Sequence, residues 1–416
     1  MNPRSVRLVL ASLAVAFATL VCSSGYITPQ SLQATQGVQQ EMTATASAYV
    51  PSATPTELPT LTPTPRVQVT PTPQESPSPA PPFIYTAQSG DTVEVLAVRF
   101  GVDISHIASP QNISTGLITP GQIFTIPNIT GLTTPNEKLI PDSEVIFSPS
   151  AIGFEVAAFA NPFGGYIASY REYLPSAWYS GAGVVERVAV ENSLNPRLLL
   201  SVLQFQSNWV LGEPVNTSAI EYPMGSRLPQ SHGLYQQLTW AAKQLSTGYF
   251  GWREGRLTEL TFRDGIRMRI SPELNAGTVA IQYLFAQLYD YEDWAEIMDR
   301  TTGFAFTHSS MFPDPWVRAA QTEPLFPPAL AQPALSLPFL DRQVWYFTSG
   351  PPGAWEREGS WAALDFAPSS SLPGCVPSTH WVTAAAPGLV VRTSPGVIVV
   401  DMDGDGNEQT GWVVLY

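Results

Sequence analysis

The chain has 416 residues, a formal net charge of −14 and only 13% charged side chains. That length allows two or three domains of roughly 100–200 residues each, and the acidic balance argues against nucleic acid as a partner, because phosphates need a basic surface. With four histidines and two cysteines, a disulfide framework is excluded and a His/Cys metal site has few ligands to draw on.

Residues 1–24 have the pattern of an export signal. Basic residues precede an apolar run, Leu8–Val21, which is too short to span a bilayer comfortably but suits a signal-peptide core. The run ends at Cys22 in a segment that resembles a bacterial lipobox, except that Val21 stands where a small residue is usual. We expect an extracytoplasmic protein at a bacterial cell envelope. It is either secreted after cleavage of a plain signal or anchored to the membrane through a lipid-modified Cys22.

Prolines and threonines dominate residues 25–82, most densely after Pro51. Proline removes backbone donors and favours extended neighbours, and few bulky apolar residues are available to bury. We expect a disordered, extended linker.

Residues 83–130 predict a small domain with the order β-α-α-β. A first strand leads through Ser89–Asp91 into a helix near Val93, since Thr92 or the aspartate before it can cap that helix. A second short helix is expected after Asp103, and a closing strand after a Pro-Gly turn. The side chains expected to face inward from the second helix are Ile104, Ile107 and Ala108.

These residues resemble a LysM domain in register from Phe83 to Asn128, with a Ser-Gly-Asp-Thr entry and a Pro-Gly-Gln exit as its specific elements. The resemblance implies binding of glycans that contain N-acetylglucosamine, chiefly peptidoglycan, in a shallow groove between two loops. The same positions could serve only as turns and caps. Carried over onto this sequence, the glycan-binding residues are Ser89, Gly90, Asp91 and Thr92 on one side and Asn112, Ile113, Leu117 and Ile118 on the other.

Residues 137–315 predict a mainly α domain. Its clearest helix begins at Asn195-Pro196, a capping residue followed by proline at the first helical position. Further helices are expected over Val184–Asn192, around Trp240–Leu245 and after Asn275.

Three elements of this region resemble the lysozyme-like lytic transglycosylases in their order: the helix that ends near Gln206, the stretch His232–Gln236, and Asn275–Thr278. That family places a catalytic glutamic acid where this chain has Gln206. Glycoside cleavage needs a carboxylic acid to protonate the leaving oxygen, and a carboxamide cannot do so near neutral pH. The resemblance implies a degenerate cleft at Gln206 and Ser207 that binds sugar at most. The alternatives are a helical domain that only packs and an enzyme that uses another nearby glutamate.

A proline-rich stretch over residues 316–338 predicts a second linker, and residues 339–416 predict an all-β domain. Strands are expected over Val344–Thr348, Trp361–Ala367, Leu389–Val391, Val397–Val400 and Trp412–Tyr416.

The last region resembles the N-terminal part of the lysostaphin-type (LytM-like) zinc endopeptidases, which cut peptidoglycan cross-bridges. Carried over, Asp365 is the matching zinc ligand, but Trp361 stands where the family has a paired histidine, and no distal His-x-His precedes Tyr416. Activation of water on zinc takes three protein ligands and an open position. The resemblance therefore implies an incomplete domain. It is either truncated, with zinc bound only if a further segment exists, or a pseudoenzyme. An apolar final strand and an unpaired Cys375 favour truncation.

The loop Asp401–Glu408 has aspartates at positions one, three and five and glycine at position six, like the start of a calcium loop. Trp412 occupies position twelve, where a bidentate glutamate would be needed, and a hairpin turn explains the pattern equally. The possible calcium ligands are Asp401, Asp403 and Asp405.

Two hypotheses of different class result. The favoured one is a non-catalytic, exported protein that binds peptidoglycan through LysM and requires no cofactor. The alternative is a truncated peptidoglycan endopeptidase that LysM targets to the wall.

Overall fold

The computed structural model describes residues 80–113, 116–175, 177–228, 231–327, 330–350, 362–369 and 378–416. The export signal with Cys22, nearly all of the first linker, Trp361 and Cys375 lie outside the described residues. Among the helices in these ranges, none is long and apolar enough to cross a membrane.

The first domain is a two-stranded antiparallel sheet covered by one helix. The helix begins at Thr92, whose hydroxyl accepts a hydrogen bond from the Val95 N–H, and ends at Gly101, which has a left-handed φ of 69°. Tyr85 lies opposite Phe124 across the sheet, and both side chains are buried against the helix. The elements are β1 (Phe83–Thr86), α1 (Val93–Phe100) and β2 (Ile123–Ile126).

The expected second helix of this domain is wrong in type and in burial. It is a three-residue 3-10 helix, Ile104–His106, capped by the Asp103 carboxylate. Of the three side chains predicted to face inward, only Ile107 is buried, while Ile104 and Ala108 are exposed. The chain turns back after one turn because Ala108 exchanges backbone hydrogen bonds with Thr125 of β2.

Residues 137–327, called the helical region below, contain one large apolar core. The predicted helices at Val184–Asn192, after Asn195, around Trp240 and after Asn275 are confirmed within a residue or a turn. The α-helices are α2 (Val156–Ala160), α3 (Tyr166–Ser169), α4 (Gly181–Glu191), α5 (Pro196–Ser207), α6 (Thr217–Glu221), α7 (Leu234–Arg253), α8 (Ala276–Ala286), α9 (Tyr291–Ile297), α10 (Phe304–Met311) and α11 (Pro315–Thr322).

The centre of this core is the contact between α7 and α8. Nearly every residue of α8 is buried, and Gly248 lets the two helices approach closely, since a Cβ there would lie 2.8 Å from the Cα of Ala280. Two short hairpins that the sequence did not predict lie at its periphery. They are β3 (Arg171–Leu174) with β4 (Ala177–Ser180) and β5 (Glu259–Thr261) with β6 (Arg267–Arg269).

The second linker begins later than predicted. Residues 316–322 belong to α11, which opens with the Asp314 side-chain cap and proline at its first turn. Ala319 is buried, and Arg318 makes a two-point contact with Glu144 at 2.9 Å. The helical region therefore continues past residue 315.

The C-terminal strands form two small antiparallel sheets with little buried apolar surface. The strand expected from Trp361 begins only at Asp365 within the described residues, and the loop Asp401–Gly411 connects two strands as expected. Only Ala385, Ala386, Val399 and Val400 are buried apolar residues in the described part, while Trp381 is 77% exposed. The strands are β7 (Trp345–Ser349) paired with β8 (Asp365–Pro368), and β9 (Leu389–Ser394), β10 (Val397–Asp401) and β11 (Val413–Leu415) in the order β11-β10-β9.

Candidate functional site

The two predicted glycan-binding loops of the first domain lie side by side. Thr92 and Leu117 form an antiparallel β-bridge, and the Ile118 N–H donates to the Asp91 carbonyl at 2.8 Å. The backbone thus holds the β1–α1 loop (residues 87–92) against the described part of the loop that precedes β2 (residues 111–113 and 116–122). This is the arrangement that the predicted groove requires.

Asp91 stabilises the β1–α1 loop, and its carboxylate points into the domain. Its carboxylate is buried and accepts hydrogen bonds from the Tyr85 hydroxyl (2.6 Å) and the Gln88 N–H (2.8 Å), while Arg99 pairs with it at 2.8 Å. Burial, together with the negative charge of Asp91, raises the pKa of Tyr85 well above its usual value. The prediction that Asp91 contacts glycan is therefore corrected. The same holds for Ile118, which is buried in the core of the domain.

Asn112 and Ile113 remain accessible on the opposite loop. Ile113 is 39% exposed, and the Asn112 carbonyl accepts a hydrogen bond from the Gln122 amide at 3.3 Å. Thr92 and Leu117 are half-buried between the loops. Of the eight predicted glycan contacts, these four keep access to solvent outside the junction with the helical region.

Ser89 and Gly90 lie under the helical region. The Ser89 hydroxyl accepts from the Phe326 N–H (2.9 Å) and lies 3.2 Å from the Phe326 carbonyl, and Arg253 donates to the Ser89 carbonyl at 3.1 Å. Arg253 packs directly on Gly90, since a Cβ on that glycine would lie 1.6 Å from Nη2 of Arg253. These two predicted contacts therefore face another part of the same chain.

Arg99 is the centre of this junction. Besides its pair with Asp91, its guanidinium donates to the Trp252 carbonyl (3.1 and 3.2 Å) and lies over the Trp252 ring. Nearby, the Gln88 amide donates to the Glu273 carbonyl at 3.2 Å, and Arg269 donates to the Arg99 carbonyl at 2.8 Å. The first domain is thus held to the helical region by charge-assisted hydrogen bonds between side chains and backbone.

A cavity of about 330 Å³, called the junction cavity below, opens between the two domains. The first domain contributes Gln88, Ser89 and Pro120 to its walls. The helical region contributes both basic and acidic side chains and an aromatic ring. Those used below are Lys138, Asp142, Arg253, Trp316 and Glu323.

A second polar cluster is buried inside the helical region. The His308 ring lies 2.8 Å from the Ser201 hydroxyl through Nδ1 and 3.3 Å from Glu144 through Nε2, and Arg318 also pairs with Glu144. Burial would raise the pKa of Glu144, but its contacts with His308 and Arg318 lower that pKa to about 2. Burial lowers the pKa of His308, and Glu144 offsets this only in part. With Ser201, His308 and Glu144 all buried, the cluster has no access for a substrate and is structural.

In the predicted lysozyme-like cleft at the end of α5, one of the two residues, Ser207, is not accessible to a sugar. Ser207 is buried, and its hydroxyl donates to the Leu203 carbonyl one turn earlier. Gln206 accepts a hydrogen bond from the Tyr289 hydroxyl at 2.7 Å, and its amide nitrogen is buried without a hydrogen-bond partner in the described structure. Ser207 is therefore corrected to a structural residue.

The described residues around Asp365 do not fit a zinc ion. Asp365 is exposed at the start of β8, and its carboxylate accepts a hydrogen bond from the Ser349 hydroxyl. Within the described ranges, the sole group of three closely spaced carboxylate, histidine or cysteine ligands lies elsewhere, in the loop Asp401–Gly411. A catalytic zinc requires three protein ligands, and the described residues around Asp365 supply one.

In the Asp401–Gly411 loop, Asp401, Asp403 and Asp405 offer oxygens that lie within 4.8 Å of one another. Asp401 is buried and accepts from the Gly406 N–H at 2.9 Å. Asp403 and Asp405 are largely exposed, and Asp405 accepts from the Thr410 hydroxyl at 2.6 Å. These hydrogen bonds shape a tight hairpin connection whether or not a cation binds.

Comparison with known families agrees with the first-domain prediction and adds a second match. Residues 85–127 match the LysM domain model, so this part of the chain is similar to LysM domains and is called the LysM domain below. Residues 138–325 match the family described as LasA, N-terminal domain, a match that includes α11. No curated protein and no solved structure gives a significant match to the chain.

Proposed function

We propose that the chain is a cell-wall-associated protein that binds peptidoglycan, or a related polymer of N-acetylglucosamine, through its LysM domain. The observation that carries the proposal is the LysM match over residues 85–127, joined with the bridge between Thr92 and Leu117 that sets the two loops side by side. LysM domains occur in extracellular proteins associated with the cell wall, which fits the predicted export signal. Binding of this kind needs no metal or other cofactor.

Within the LysM domain we place the glycan contact on Thr92, Asn112, Ile113 and Leu117. These residues keep access to solvent, whereas Asp91 and Ile118 are buried and Ser89 and Gly90 face the helical region. Sugar rings present both hydroxyls and apolar faces, so an exposed amide beside an exposed aliphatic side chain suits them.

The proposal is tested by co-sedimentation of the full chain with purified peptidoglycan. We expect Ile113→Asp to weaken binding roughly tenfold, because it puts a charge into an apolar contact. Ile266→Asp is the matched control, since Ile266 is 45% exposed and lies in the helical region on the β5–β6 turn. A wild-type chain that stays in the supernatant contradicts the function, and equal binding by the two variants contradicts the placement of the site.

A second candidate function is a part in peptidoglycan cleavage. The observation in its favour is the match of residues 138–325 to the LasA N-terminal domain, whose relation to LytM-like peptidases agrees with the resemblance of residues 339–416. Asp365 alone does not make a zinc site, so cleavage would require ligands beyond the described residues. Release of soluble fragments from purified peptidoglycan in the presence of zinc would support this candidate over binding alone.

Three finer interpretations stay predictions. They are the lysozyme-like origin of the helical region, lipid attachment and membrane anchoring at Cys22, and a calcium ion at Asp401, Asp403 and Asp405.

A further inference from the structure

The junction cavity carries charges of both signs, and two of them, Lys138 and Glu323, form no ion pair in the described structure. It measures about 330 Å³, which is near the lower end of cavities that bind small ligands. Its walls come from the LysM domain and from the helical region, and Ser89 belongs to the loop that also borders the predicted glycan groove. A ligand in this cavity would therefore lie next to any sugar held by the LysM domain.

Two of the four charged side chains in the cavity neutralise each other. Arg253 lies 3.6 Å from Asp142, and Asp142 also accepts hydrogen bonds from the Asn275 amide and the Gly277 N–H, both at 2.8 Å. Arg253 is further held by the Ser89 carbonyl. Both members of this pair have partners within the protein, so they form a fixed part of the wall.

Glu323 is the carboxyl group without a cation. Its carboxylate accepts a hydrogen bond from the Ser143 N–H at 3.2 Å, and it forms no ion pair with a basic side chain of the described residues. Burial and, next, the negative charge of Asp142 raise the pKa of Glu323, and the Ser143 hydrogen bonds and the more distant charge of Lys138 offset this only in part. A positively charged group placed beside Glu323 would relieve both effects.

Lys138 is the cation without a carboxylate. It lines the same cavity and is half-buried, and no carboxylate of the described residues lies within ion-pair distance of its ammonium group. Lys138 and Glu323 thus place one charge of each sign on a single cavity, close enough for the charge of Lys138 to act on Glu323 but without a direct ion pair. A ligand that satisfies both would carry a cationic and an anionic group, as a short peptide with a free ammonium group and a free carboxylate does.

The rest of the wall is apolar. Trp316 on α11 is half-exposed and faces the cavity with Pro120, Pro324 and Leu325. Such a surface accommodates small aliphatic side chains, and an indole ring covers a large area with little loss of conformational freedom.

We propose that the junction cavity binds the short peptide attached to the peptidoglycan glycan, with an ammonium group at Glu323, a carboxylate at Lys138 and aliphatic side chains against Trp316. The proposal rests on the proposed function, since it names the part of the same polymer that would lie beside the LysM groove. Free amino and carboxyl groups on a short chain of small residues are the chemistry that these three side chains recognise.

The test is calorimetric titration of the full chain with three soluble probes. They are the N-acetylglucosamine–N-acetylmuramic acid disaccharide with its peptide, the same disaccharide without the peptide, and the N-acetylglucosamine tetramer. We expect the peptide-bearing disaccharide to bind more tightly than the peptide-free one. Glu323→Gln and Lys138→Gln should each weaken binding of the peptide-bearing probe roughly tenfold, the loss of one charge-assisted contact.

Glu186→Gln and Lys243→Gln serve as controls, since they remove the same charges from α4 and α7, outside the cavity. The tetramer reports on the LysM groove, so its failure to bind the wild-type chain contradicts the proposed function. Equal affinity of the two disaccharides contradicts the peptide proposal and leaves the function standing. Equal weakening of all three probes by Glu323→Gln also overturns it, because the cavity would then hold sugar.

Discussion

The guanidinium carbon of Arg99 lies 4.6 Å from the ring centroid of Trp252, so a LysM side chain is stacked on the last turn of α7. Both Arg99 and its partner Asp91 keep only 4% of their side-chain surface exposed. A buried ion pair of this kind contributes little when complete but is costly to break, because the remaining charge has no partner. The junction therefore depends on Arg99 more than on any exposed contact.

Replacement of Arg99 tests this dependence. We expect Arg99→Leu to lower the free energy of unfolding by about 3 kcal/mol, since it leaves the Asp91 carboxylate buried and unpaired. Urea denaturation of the full chain measures the change. Arg300→Leu is the matched control, because Arg300 is exposed and its carboxylate partner Glu137 lies 3.7 Å away, and we expect a change below about 1 kcal/mol.

Close packing of Arg253 on Gly90 predicts an asymmetry between two glycines of the LysM domain. Gly90 and Gly121 have similar left-handed φ angles of 83° and 88°, but a Cβ meets Arg253 only at Gly90 and open space at Gly121. Both alanine variants incur backbone strain of about 1–2 kcal/mol. We expect Gly90→Ala to be the more destabilising in thermal unfolding, because it also displaces Arg253. Equal melting temperatures for the two variants would show that the contact contributes nothing.

The buried cluster of Glu144 and His308 predicts loss of stability on acidification. The folded-state pKa of each group lies below its unfolded value, so the unfolded chain takes up more protons than the native chain as pH falls. The contribution of these two groups to the free energy of unfolding is fully present above the unfolded pKa of histidine, about 6.5, and declines below it. It declines further below about 4.3, where unfolded glutamate takes up its proton.

Thermal unfolding between pH 8 and pH 3 measures this decline. We expect His308→Gln to remove the part of the slope that begins near pH 6.5, because glutamine does not titrate. If the pH dependence of thermal unfolding is unchanged in this variant, the loss of stability below pH 6.5 comes from other groups.

The contact between Arg318 and Glu144 indicates that α11 is an integral part of the helical region. Its guanidinium makes a two-point contact with the fully buried Glu144. We expect Arg318→Met to lower the free energy of unfolding by about 3 kcal/mol, since methionine retains the aliphatic stem but leaves the carboxylate with only His308. Denaturant unfolding measures the loss. A change as small as that of Arg300→Leu would indicate that α11 packs without help from this pair.

Local chemistry was sufficient to predict much of the fold. Some elements are indicated by a few neighbouring residues, namely the Asn195-Pro196 helix start, the Thr92 cap and the Pro-Gly turn before β2. Each of these elements lies where the local pattern predicts it. The helix expected after Asp103 failed because the backbone of Ala108 pairs with β2, a contact that no local pattern encodes. Helix α11 was missed because the prolines around it suggested a linker, whereas its pairing with Glu144 bridges 174 residues.

Only part of the candidate site could be predicted from the sequence, again because local patterns do not encode contacts between distant parts of the chain. The LysM pattern identified the two loops, but not that Arg253 and Phe326 cover one of them. Arg253, Trp316 and Glu323 belong to no motif in the sequence. The signal that could have singled them out is weak: α7 ends in Arg253, and Glu323 follows directly on α11.

The two hydrogen bonds between Ser89 and Phe326 fix where the chain leaves the helical region. Residues from 330 onward therefore start their path beside the loop that borders the LysM groove, whatever their own fold. If the LysM domain holds the wall, this departure point confines the C-terminal sheets to a small volume around the polymer. Their effective concentration there is set by the short stretch of about 18 residues between Phe326 and β7, as for any pair of linked modules. Even a weak contact of those sheets with peptidoglycan would then be populated without high affinity of its own.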